Sequence, residues 1–293
     1  MKYLCGIFIF FILSGCEKTI ELNPESRQPL LVVDGNIENG KAPVVFLSTS
    51  LDYFGQINPQ ILIGSQVTKA TVTVTDGVMS SVLKQYLLPL GGGYNLVYYT
   101  TDTLNPSAEI MGVPGKTYQL KIDYNNVLYS STTTVPVVAK IIDSLWWKQA
   151  PFTSDTTKVV LTSKVTDPKG YGNFIRYFTK VNDGTFLPGQ FSVFDDQIVD
   201  GTTYSIQVDQ GIDRNNRPSD SAYGFFHRGD TITVKFANID KGTFDFWRTL
   251  EFGYSNVGNP FSSPTKILGN VDNNALGAFC GYGVQYKTLI VPK

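Results

Sequence analysis

Hydrophobic and polar positions alternate along most of this chain with a period of two, the mark of strands buried on one face. The clearest case is residues 67–75, where Ala70, Val72 and Val74 interleave with Thr71, Thr73 and Thr75 before Asp76-Gly77 turns the chain. Tyr118, Leu120 and Ile122 alternate with Gln119, Lys121 and Asp123; Asn125-Asn126 turns, and residues 127–135 return. Residues 30–33 (closed by Asp34-Gly35), 44–47, 82–88 and 94–99 read as further strands. About seven strands in roughly 105 residues fit an immunoglobulin-like β-sandwich of the disulfide-free kind over residues 30–136.

The pattern breaks between Pro136 and Lys140 and resumes with longer, more aromatic strands at 141–147, 159–166, 174–181, 203–208 and 231–237. Phe244, Trp247 and Leu250 recur at helical spacing and predict one helix over 241–252, and residues 276–291 return to strand-like composition. The fold class is therefore all-β. The N-terminal sandwich is followed by a mainly β second domain with one helix, residues 137–293, each large enough to bury a core of its own.

Only the N-terminus departs from this texture. Lys2 precedes an almost unbroken apolar run, residues 3–13, which has the length of a signal-peptide core and falls well short of the roughly 20 residues that span a bilayer. Leu13-Ser14-Gly15-Cys16 then resembles the lipobox of bacterial lipoproteins, where small residues admit the signal peptidase and the thiol carries diacylglycerol. Residues 1–15 are expected to be a lipoprotein signal peptide, Cys16 the lipidated residue, and 16–29 a flexible tether. Two or three acyl chains such as palmitate anchor a protein stably, because one chain alone binds reversibly.

Charge and candidate chemistry change this picture little. Cleavage removes Lys2 and no acid, leaving the 25 carboxylates in excess by two, and no basic run offers nucleic acid a footprint. Cys5 leaves with the signal, so Cys280 is the one thiol left in the folded part; it cannot form an internal disulfide and reads as a small buried hydrophobe. Gly115-Lys116-Thr117 lacks the earlier glycine of a phosphate loop and enters a strand rather than a helix, which makes it a turn. His227 is the single histidine, without a serine–histidine–aspartate or metal-ligand pattern around it. Asp195, Asp196 and Asp200, with Asp209 and Asp213 beyond, could serve a calcium loop or a carboxylate pair, yet their spacing is diagnostic of neither. No cofactor and no metal site is expected. Candidate binding residues are Trp146 and Trp147, adjacent on a strand and so facing opposite ways, and Phe261 in the proline-rich loop 256–264.

One family gathers these features in order. Cys16-Glu17-Lys18 with Ile20, Leu31-Val32-Val33-Asp34-Gly35, and Leu47-Ser48 open the likeness. It continues through Ala70 to Asp76, Pro114 to Leu120, Asn173-Phe174-Ile175-Arg176, Phe194-Asp195-Asp196 with Asp200-Gly201, and Gly229-Asp230-Thr231-Ile232. Asn259-Pro260-Phe261, Ser263-Pro264, Gly269-Asn270, Ala275, Gly277, Phe279 and Tyr282 close it. In these the chain resembles the outer-membrane lipoproteins of domain-of-unknown-function family 4249, with Asp34 where a glutamate is the family's habit. The resemblance implies a lipid-anchored, surface-facing protein of the outer membrane. It would be a non-enzymatic accessory or substrate-capturing partner of a TonB-dependent transporter. A free-standing surface module for glycan or peptide, and a carboxylate-dependent hydrolase using Asp195, Asp196 and Asp200, are the alternatives.

Overall fold

Seven strands of the first half form from the expected alternation: β1 (Leu31–Glu38), β2 (Val44–Thr49), β3 (Thr71–Thr75), β4 (Ser80–Gly91), β5 (Tyr94–Thr100), β6 (Thr117–Tyr124) and β7 (Val127–Thr134). The structure is a computed structural model that describes residues 28–51, 57–102, 104, 109–214, 224–257, 263 and 265–293. Cys16 and Phe261 lie outside the described residues, as do the signal peptide and most of the tether.

Strand β4 is what makes these seven strands a sandwich. Its first residues, Ser80 to Leu83, pair with β3, whereas Lys84 to Gly91 pair with β5. The ladder therefore folds over within β4, and Leu31, Val33, Ile37, Val45, Leu47 and Tyr99 of one layer pack against Val72, Val74, Tyr118, Leu120 and Ile122 of the other. A short helix, α1 (Pro59–Gly64), capped by the Asn58 side chain, crosses from β2 toward β3 and was not foreseen in the pattern. Asp34-Gly35 does not end the first strand, contrary to expectation. β1 runs straight through it, because it is hydrogen-bonded on both sides.

The second half contains β8 (Ile141–Gln149), β9 (Lys158–Thr166), β10 (Phe174–Val181), β11 (Leu187–Phe194), β12 (Thr203–Val208), β13 (Phe226–His227), β14 (Thr231–Ile239), α2 (Lys241–Ser255) and β15 (Leu276–Ile290). β9 pairs with β8 on one side and with β12 and β13 on the other. This small sheet packs on the large one through Ile142, Val159, Leu161, Val165, Ile175, Phe226, Ile232 and Val234. The opposite face of the large sheet carries α2, seated by Phe244, Phe246, Trp247 and Leu250 on Ala237, Ile239, Cys280 and Val284. Asp240 caps α2 by accepting from the Thr243 N–H at 2.8 Å, and its other oxygen accepts from Thr133 Oγ1 and the Thr134 N–H. Cys280 is buried, as its composition context suggested.

The two halves share one continuous sheet of 11 strands, in the order β11-β10-β14-β15-β1-β2-β5-β4-β3-β6-β7. β15 is the join. Its first part runs parallel to β1, Val32 opposite Leu276 to Glu38 opposite Tyr282, and its second part is antiparallel to β14. The period of two then sends neighbours into different cores: Phe279 into the first sandwich, Ala278 and Cys280 beneath α2. Gly281 and Gly283 share the face of Phe279, where the chain crosses from one half to the other. A Cβ there would stand 2.2 Å from the Thr134 carbonyl and 2.1 Å from that of Pro136, so only glycine lets the junction pass so close.

Candidate functional site

An apolar recess of the second half opens between its two sheets. Ser163 and Val165 of β9 and Tyr204, Ile206 and Val208 of β12 form one wall; Ile175, Tyr177, Val234 and Phe236 of the large sheet form the other. The cavity is about 270 Å³, and Phe194, Asp195, Ile198 and Val199 frame its mouth. Ile198 stands 96 % exposed there, with Phe194 and Ile206 also exposed. Together these side chains leave an exposed apolar rim beside the hollow. Around Phe194 and Asp195 lies a more open groove of about 580 Å³ between β11 and α2, lined by Phe191, Val193, Arg248 and Phe252.

The polar end of the cavity is Tyr204. Burial, reinforced by the charges of Asp167 and Asp196, pushes its hydroxyl pKa up to about 12, so it remains a neutral phenol. Behind it, Lys140 and Asp167 form an ion pair at 3.0 Å with both side chains fully buried, and the Lys140 ammonium lies 5.7 Å from the Tyr204 ring centre. Asp167, Asp196 and Asp200 each bring one carboxylate oxygen within 4.8 Å of the others, a spacing that could hold a cation. Two of the three carboxylates accept backbone hydrogen bonds, whereas the buried Asp167 oxygens accept none and face only the Lys140 ammonium. Asp196 accepts from the Gly172 and Asn173 N–H groups at 3.1 and 2.9 Å, Asp200 from the Gly170 N–H at 2.7 Å, and Asp167 faces Lys140. Burial raises the Asp196 pKa, but the N–H groups of Asn173 and Gly172 lower it further, and the net direction is down. Asp196 and Asp200 thereby hold the 170–173 backbone in place.

Asp195 points elsewhere, to Arg248 of α2 at 3.3 Å, so the three acids that the sequence places side by side do not converge on one cleft. Trp146 and Trp147 lie on β8, beyond β9 from the recess. Trp147 packs toward the inter-sheet core with the Arg228 guanidinium 4.8 Å from its ring centre, and Trp146 is half-buried on the other face. His227 is exposed on β13, and its backbone N–H donates to the Asp230 carboxylate. Sequence reasoning missed Asp167, Tyr204 and Ile198; the Asp167-Pro168 turn with Gly170 and Gly172 was the available signal for the first.

Beneath α2 lies a second buried polar group. Glu251 accepts from the Ser192 N–H at 2.7 Å and the Ser192 hydroxyl at 2.5 Å, and faces Arg214 at 3.3 Å and Arg176 at 3.9 Å. The Arg176 guanidinium stacks 3.4 Å from the Trp247 ring centre and donates to the Tyr282 hydroxyl. This network rivets α2 to β10, β11 and β15.

Sheets, cavity and helix together define an all-β, sandwich-like protein with a recess at one open edge. The chain belongs to the family described as Domain of unknown function (DUF4249), whose model matches residues 17–288. No curated protein matches it. Among the described residues no helix is long and apolar enough to cross a membrane.

Proposed function

We propose that this chain is a non-enzymatic outer-membrane lipoprotein that captures an apolar ligand beside a TonB-dependent transporter. One observation carries the binding role: the apolar recess between β9, β12, β10 and β14, with Ile198 exposed at its mouth. Its lining is mostly aliphatic and aromatic, with Ser163, Tyr177, Asp195, Tyr204 and Gln207 as its polar residues, which suits a largely apolar group better than a glycan. The acids nearest to it are engaged in loop and helix contacts, which favours binding over hydrolysis. The lipobox ending at Cys16 supports the anchor, and the transporter role rests on the family likeness.

The test is a crosslinked pull-down from native membranes at native expression. Wild-type protein should bring down an outer-membrane transporter, and Ile198→Asp should weaken that recovery without unfolding the chain. Changes in the 256–264 loop, most of which lies outside the described residues, should act in the same direction. Cys16→Ser should leave the membrane fraction after carbonate washing. Repeated recovery of the lipoprotein alone would overturn the transporter role and leave a free-standing binding module.

A further inference from the structure

Strand order places four features at one end of the first sandwich. The chain enters β1 at Leu30, whose N–H donates to Ser50 Oγ, and Leu31 lies opposite Thr49 at the end of β2. The Thr49 N–H reaches the Ser65 carbonyl just after α1, and the Gln66 side chain at the same place bonds the Asn95 carbonyl and the Val97 N–H of β5. β4 and β5 then project past this point as a hairpin, Leu88 opposite Leu96 and Gly91 opposite Tyr94, and Gln60 of α1 bonds the Tyr94 hydroxyl. The N-terminal entry, the end of β2, helix α1 and the β4–β5 tip therefore sit together.

This end is apolar and uncharged. Residues 57–68 and 85–101 contain no Asp, Glu, Lys or Arg. Ile57, Ile61, Leu62, Leu88 and Leu90 are all exposed, with Tyr94 at their margin. The far end of the same strands is the opposite in character: Glu38 there pairs with Lys41 at 2.8 Å and with Lys235. Exposed leucines and isoleucines gathered at one end without a charge between them are unusual on a surface that faces water alone.

We infer that this end of the first sandwich rests in the lipid headgroup layer of the membrane that carries the anchor. The inference builds on lipidation of Cys16. The tether leaves the fold at this end, and residues 17–29 reach at most about 45 Å when fully extended and about 20 Å as a loose coil. The anchor thus holds the uncharged end closest to the lipid. Short apolar side chains with a tyrosine at their margin suit the boundary between headgroups and acyl chains, where a tyrosine keeps its ring in the apolar layer and its hydroxyl in the polar one. Docked in this way, the body stands on the membrane at a fixed tilt instead of swinging on its tether.

The test uses full-length lipidated protein in phosphatidylethanolamine–phosphatidylglycerol vesicles. A polarity-sensitive fluorophore is attached through Leu62→Cys, Leu88→Cys or, as a control at an exposed position of the second half, Phe152→Cys. Labels at 62 and 88 should shift to the blue and lose emission to lipids brominated near the headgroup, while the label at 152 stays water-like. A Leu62→Glu change in the Leu88→Cys protein should reverse the shift at 88 while flotation persists. Floated protein whose 62 and 88 labels behave like the 152 label overturns the docking and leaves the anchor standing. A blue shift without lipid quenching assigns the patch to a protein contact, such as a second copy, and overturns it as well. Protein that fails to float overturns anchor and docking together.

Discussion

Phe279 is fully buried in the core of the first sandwich, yet it belongs to the last strand of the chain. Its ring lies against β1, where a Cβ added to Gly35 would stand 2.9 Å from Phe279 Cδ2. An aromatic side chain of this kind buries roughly 150–250 Å², and at about 25 cal/mol per Å² that is about 4–6 kcal/mol of apolar burial. Phe279→Ala keeps a small part of this and leaves a cavity, for an expected loss of about 3–5 kcal/mol. That is a large share of the 5–15 kcal/mol typical of a folded protein. The assay is urea unfolding of the chain from residue 17 onward, followed by circular dichroism and by tryptophan emission. All three tryptophans, Trp146, Trp147 and Trp247, lie in the second half, whereas the cavity opens in the first. If β15 couples the halves, both signals move to lower urea together. A tryptophan transition that stays in place while the circular dichroism changes, or a loss below about 1 kcal/mol, would refute the coupling.

Glu251→Gln removes the charge that faces Arg176 and Arg214 and should cost about 3–5 kcal/mol, read as a fall in the unfolding midpoint. The Asp196 pKa is lowered in the fold, so its contribution is fully present above the ordinary aspartate value near 4 and fades as pH falls through the lower folded value. Wild type should accordingly lose stability over that acid window more steeply than Asp196→Asn, and parallel pH profiles would argue against it. Burial pushes the Cys280 thiol pKa up to about 12, so a thiol reagent at pH 8 should label it only as fast as β15 opens, and faster with added urea. Immediate labelling of native protein would contradict that seating.

Much of the fold was legible because single strands announce themselves locally. The Thr/Val alternation marks β3, and Phe244, Trp247 and Leu250 mark α2, whose start is set by the Asp240 cap. What stayed hidden depends on distant partners. Asp34-Gly35 carries turn chemistry, and only the pairing of β15 and β2 on either side holds it extended. β11 contains Pro188 and Gly189, residues that punctuate rather than propagate, and α1 is too short for a helical period to register. The recess is the hardest case. Val165, Ile175, Val208 and Val234 are ordinary core residues in sequence, and only the spacing of the two sheets turns them into walls. Asp167 is likewise 29 positions from Asp196, too far for any local motif to join them.

The pairing of β1 with β15 also bears on how the chain reaches its folded state. Contacts such as Asn39 to Val284 span 245 residues, and such non-local closure slows folding because loop entropy is lost before any contact repays it. Among the described strands, the first to emerge during synthesis waits for the last before its second edge is hydrogen-bonded. Every nascent or C-terminally truncated chain thus carries an open edge on β1 and a hollow where Phe279 belongs, a surface prone to wrong pairings. A stop codon before residue 276 should therefore yield aggregated protein rather than a working N-terminal sandwich, although it removes none of strands β1 to β7.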